Sequence, residues 1–152
     1  MAADDRHRRP QGASDDTVAA VGKVSEALEW LERARGRLYD FHQMLGRTDL
    51  LMGEAADLLD EAGHAEQAEL LRAEVVGRNV LDGRWTFQIV EEFGDVYDEP
   101  VREVERRIRD DLLDGRRHVF EAEMKERRRT SGRPGHEGRP PTAHADGIVT
   151  ED

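Results

Sequence analysis

The sequence predicts an all-α fold, a small helical bundle built around two long helices, and three observations carry that expectation. From Val18 to Leu45 apolar residues recur with a helical period and no proline intervenes. From Tyr97 to Ala122 apolar residues step by four and three. Between them, only residues 77–93 contain any strand-like alternation. A lone hairpin is marginal without a third strand.

The first helix is expected over residues 17–45. Asp15, Asp16 and Thr17 offer side-chain oxygens to the free amides of a first turn. At about 100° per residue, Val24, Leu31, Ala34, Phe41 and Leu45 lie within roughly 60° of Leu38, which makes one apolar face. Gly46-Arg47-Thr48-Asp49 reads as a turn and a fresh cap, followed by a second helix over residues 50–62 that Gly63 ends. A third helix begins near Ala65 and runs to about Gly77. The connection is short, so these two should pack as an antiparallel αα-hairpin.

Residues 77–93 admit two readings. Asp82-Gly83 between two apolar stretches is a hairpin signal, which makes an α+β fold with a small hairpin at 78–90 the alternative. Trp85, Ile89 and Phe93 also recur at four, and Glu91-Glu92 favour helix, so a loop and then a short helix over 85–93 is expected. Asp98 and Pro100 then open a last long helix, 98–129, with Gly115 marking a kink or a close helix contact. Residues 1–14 and 132–152 lack apolar content and are expected to form a disordered arm and tail around a bundle domain of residues 15–131.

Composition removes several functional classes. There is no cysteine, which excludes structural disulfides, thiolate catalysis, zinc ribbons and iron–sulfur clusters. No apolar run approaches the ~20 residues of a membrane helix, and the basic N-terminal stretch has no apolar core. A cytoplasmic protein with no membrane partner is expected. The net charge of −11 disfavours binding to nucleic acid by the domain as a whole. One basic island departs from this balance, with 7 basic against 3 acidic groups over residues 116–133. Its Arg116, Arg117, Arg127, Arg128 and Arg129 are candidates for an acidic partner, or for a nucleic-acid accessory role. The plainer reading is a solvated helix end, where cations meet the negative end of the helix dipole.

Two clusters are candidates for ligand binding. Arg35, Tyr39 and His42 follow one another at four and three residues beside the apolar face. A guanidinium, a phenol and an imidazole together bind anions or move protons. Arg78, Asn79, Arg84 and Trp85 gather hydrogen-bonding groups and an aromatic ring in the one irregular stretch. The plainer readings are a core histidine with a partner, and a tryptophan plug with rim arginines paired to Glu91 or Glu92.

No metal or cofactor is expected. Gly63 separates Glu61 from His64, and Asp114 with His118 is only half of a carboxylate-bridged site. No phosphate loop, nucleophile elbow or zinc-protease motif occurs, so no catalytic residue is assigned. The leading expectation is a non-catalytic helical interaction or accessory protein, with a small-molecule or anion-binding bundle, enzymatic or not, as the alternative. Helices of about 30 residues reach about 45 Å, more than the short middle helices cover. A second copy of the chain, through the long helices, or another protein is therefore the expected partner.

Overall fold

The computed structural model describes residues 5–138, and the fold among them is all-α. The helices are α1 (Asp15–Glu61), α2 (Ala65–Glu74), α3 (Thr86–Phe93), α4 (Glu99–Leu113) and α5 (Val119–Arg128). A 3₁₀ turn at Asp5–His7 precedes α1, and a π-helical turn at Gly94–Asp98 joins α3 to α4. The hairpin considered for 78–90 reduces to one isolated bridge, Leu81 with Arg84, around a left-handed Gly83 at φ +68°. The chain divides into two compact units. A continuous unit spans Leu28–Glu103, and a discontinuous unit combines residues up to Ala27 with those from Val104 onward.

The discontinuous unit has a small aliphatic core. Val18 and Val21 of α1 meet Leu113 of α4 and Val119 of α5, with Ala13 and Ile108 packed alongside. Ser14, rather than the aspartates after it, caps α1: its Oγ accepts from the Thr17 amide at 3.1 Å. The expected single helix over 98–129 is broken between Leu113 and Val119. Asp114, Gly115 and His118 all have positive φ, at +51°, +72° and +55°. Arg109 supports the break from within α4. It donates through Nε to Glu105 at 3.0 Å and through a terminal nitrogen to the Gly115 carbonyl at 2.6 Å. Ser25 Oγ donates to the same Glu105 oxygen at 3.2 Å. Both charged residues are buried, so each supplies the partner the other needs.

The segment expected as a disordered arm has a defined place as far as it is described. Arg9 forms a two-pronged pair with Glu123, both distances 2.7 Å, and also reaches Asp15 at 2.6 Å. His7 Nδ1 lies 2.7 Å from the Arg117 carbonyl oxygen, and Pro10 is buried. The cause is long-range: these partners lie more than 100 residues away in sequence. Residues 139–152, most of the expected tail, lie outside the described residues, as do residues 1–4.

In the continuous unit α1 runs straight through residues 46–49, where a turn was expected. The polar residues of that apparent cap serve other groups. Thr48 Oγ donates back to the Met44 carbonyl at 2.9 Å, and Asp49 Oδ1 accepts from the Gly77 amide at 2.7 Å. Gly46 alone weakens a helix by only about 1 kcal/mol. Gly63, at φ +85°, marks the tight connection that follows α1, and α2 folds back as the expected αα-hairpin. Arg72 ties it to α1 through Asp57 at 2.8 Å and Asp60 at 2.6 Å, and Ala56 and Ala68 are fully buried.

Candidate functional site

The continuous unit holds both ligand-binding candidates, and the structure connects them through one bond. His42, on α1, has its Nδ1 2.6 Å from the hydroxyl of Thr86, the first residue of α3. Arg35 lies over the Tyr39 ring at 5.4 Å, and both line a groove of about 220 Å³ with Val90, Phe93 and Asp98. Asp98 is buried there. A hydrogen bond from Arg102 holds its carboxyl below the usual range, and the charges of Arg102 and Arg35 add to that effect. Arg102 in turn reaches Glu32 of α1 at 2.6 Å.

Arg78 and Trp85 line a different cleft, about 200 Å³, with Leu45, Asp49, Leu50 and Val80. Asn79 and Arg84 do not line it. Arg84 pairs with Glu92 at 2.5 Å, and Arg78 lies 3.6 Å from Glu74. His42 lines neither cleft. Both volumes fall below the ~300–1,000 Å³ of ordinary small-molecule sites. One carboxylate in each is engaged within the chain, Asp49 with Gly77 and Asp98 with Arg102.

The basic island does not form one uniform patch. Arg116 donates to the Arg8 carbonyl at 2.6 Å, and the Arg117 carbonyl faces His7. Arg129 grips one Glu126 oxygen through two nitrogens, at 2.9 and 2.7 Å. Arg127 and Arg128 are exposed in the last turn of α5, where the helix dipole favours cations. Asp114 and His118 sit in the break between α4 and α5, off any shared helix face. Among the described residues no group of three or more His, Cys, Asp or Glu is placed to hold a metal ion.

The largest feature of the unit is one the residue pattern concealed. At about 100° per residue, the α1 groups bonded within the chain (Glu32, His42, Asp49, Asp57 and Asp60) lie roughly 20° to 120° to one side of Leu38. On the other side, roughly 60° to 160° away, lie Trp30, Phe41, Met44, Leu51 and Leu58. All five are exposed, Trp30 and Met44 at 62% and Leu58 at 64% of their surface. Their spacing follows a seven-residue repeat. Trp30, Arg37, Met44, Leu51 and Leu58 occupy one position of it, and Ala34, Phe41, Thr48 and Ala55 the position four residues after each of the first four. Leu31, Leu38, Leu45 and Met52 follow the first set by one residue and are turned toward the chain's own interior, buried or half-buried. α1 therefore carries two adjacent apolar stripes, of which the described residues cover one. The signal was present as the three-four spacing from Trp30 onward. A single face centred on Leu38 merged Ala34 and Phe41 with the inner stripe.

No protein-family model, curated protein or solved structure matches this chain. Among the described residues no helix is long and apolar enough to cross a membrane.

Proposed function

We propose that this protein is a non-catalytic helical interaction protein that works through protein–protein contacts made by the outer stripe of α1. The observation that carries the reading is the row of large apolar side chains left in water from Trp30 to Leu58. Large apolar side chains exposed in a row along one helix, here interrupted by Arg37 and Thr48, mark interaction sites. The small size of the two clefts favours the same reading over a small-molecule site. Hydroxyl-radical footprinting tests it. Trp30 and Met44 should oxidise readily in dilute purified protein and be protected in intact cells that express it. Equal reactivity in both settings overturns the reading.

A further inference from the structure

We propose that the partner of α1 is α1 of a second copy, packed antiparallel in one register centred between His42 and Gln43; the proposal rests on the interaction reading above. The exposed stripe extends roughly 42 Å, at about 1.5 Å per residue, and keeps a strict seven-residue period. On a straight helix such a period drifts about 20° per repeat, which two helices absorb by winding around each other left-handedly.

Side-chain size chooses the direction. One position of the repeat is mostly small (Ala34, Thr48, Ala55) and the other mostly large (Trp30, Met44, Leu51). A parallel pair sets like against like. It would face Arg37 with Arg37 of the second copy inside the seam and alternate underfilled layers with crowded ones. An antiparallel pair sets each position against the other, so small meets large in the layers of Ala34 and Ala55, and the two large residues Phe41 and Met44 meet at the centre. In the proposed register Ala34 meets Leu51 of the second copy, Ala55 meets Trp30 and Phe41 meets Met44. The one polar layer is Thr48 against Arg37, whose long stem covers apolar surface while its head stays on Asp40 of its own chain at 3.1 Å.

Charge chooses the register. The residues just before the small positions flank the seam: Arg33, Asp40, Arg47 and Glu54, all exposed, with Asp40 3.1 Å from Arg37, Arg47 3.9 Å from Glu54 and Arg33 over the Trp30 ring within the same helix. In this register Asp40 faces Arg47 of the second copy, and Arg33 faces Glu54, each pair occurring twice by symmetry. A slip of one repeat in one direction sets Arg33 against Arg47 and Asp40 against Asp40. A slip in the other sets Arg47 against Arg47 and Asp40 against Glu54. Both slips oppose like charges, which sets partner choice in paired helices. The seam as proposed ends at Trp30 and Ala55, which leaves Leu58 at its edge, inside Glu26 and Glu61, whose like charges oppose its extension.

The natural chain lacks cysteine, so cysteines introduced singly into the full-length protein report the register directly. Chains carrying Ala34→Cys mixed with chains carrying Leu51→Cys should cross-link through a short bis-maleimide, and neither should cross-link alone. Asp40→Arg should raise the dimer dissociation constant roughly 10-fold in sedimentation velocity by facing Arg47, and adding Arg47→Asp should restore it. Cross-linking of Ala34→Cys with itself overturns the antiparallel arrangement. So does a purified protein that stays at 17.3 kDa at high micromolar concentration. If Trp30 and Met44 are nonetheless protected in cells, the interaction reading stands with a different partner and only self-pairing fails.

Discussion

In the discontinuous unit Val18, Val21, Leu113 and Val119 lose nearly all contact with water, and the charges beside them are paired; in the continuous unit Trp30, Met44 and Leu58 of the same α1 helix keep more than half of their surface. The helix is built differently in the two, with valine and alanine before residue 28 and leucine, arginine and aromatic residues after it. The difference is that α5 and the N-terminal segment close the first unit, whereas no described residue covers the outer stripe of the second. Burial in one place supplies stability, and exposure in the other leaves free energy available for association.

The largest expected effect lies in the buried ion pair. Arg109→Met strands Glu105 and leaves the Gly115 carbonyl without its donor, and it should lower stability by about 3–5 kcal/mol in urea unfolding. A loss below about 1 kcal/mol would mean that water reaches Glu105 and the unit is looser than described. Next, Leu113→Ala should lose about 2–5 kcal/mol. Leu58→Ala, measured in dilute protein, should stay within about 0.5 kcal/mol of the natural chain. Equal losses at the two leucines would erase the contrast between the units.

Glycines on α1 sharpen it further. A Cβ at Gly22 would meet Phe120 Cβ at 3.0 Å, so Gly22→Ala should destabilise by about 1–3 kcal/mol. Nothing lies within 4 Å of a Cβ at Gly36, where the same change should stabilise by up to about 1 kcal/mol. Thermal unfolding should separate the two in sign.

The smallest expected effect is acid sensitivity in the continuous unit. Asp98 has its folded-state pKa lowered by Arg102, so its contribution is fully present above the unfolded carboxylate value of ~3.9. That contribution disappears as pH falls through the folded value. Stability measured from pH 5 downward should therefore fall less steeply in Asp98→Asn than in the natural chain. Parallel curves would count against the role of the pair.

Local patterns made the helices legible, and distant partners decided what was missed. The period of Val24, Leu31, Leu38 and Leu45 announces α1, and Gly63 announces its end. Gly46-Arg47-Thr48-Asp49 reads as a cap because nothing nearby says that Asp49 serves Gly77. Gly115 signals an interruption, but the left-handed backbones at Asp114 and His118 depend on Arg109 and on Val119 entering the core. The N-terminal segment looks unstructured because Glu123 and Arg117 are remote. Of the candidate ligand residues, His42 could be placed at the edge of the core. Its Thr86 partner could not be named, since it belongs to another helix.

The bond between Arg9 and Glu123 also orders events in time. Chain emerging from a ribosome exposes residues 28–103 before anything from Val104 onward has come out. The continuous unit has all its own partners at that moment, and its contacts are shorter in sequence, which favours fast folding. Val18 and Arg9 must wait for α5. The discontinuous unit is therefore the last to form, and the Arg9 segment stays open to proteases until Glu123 has left the ribosome.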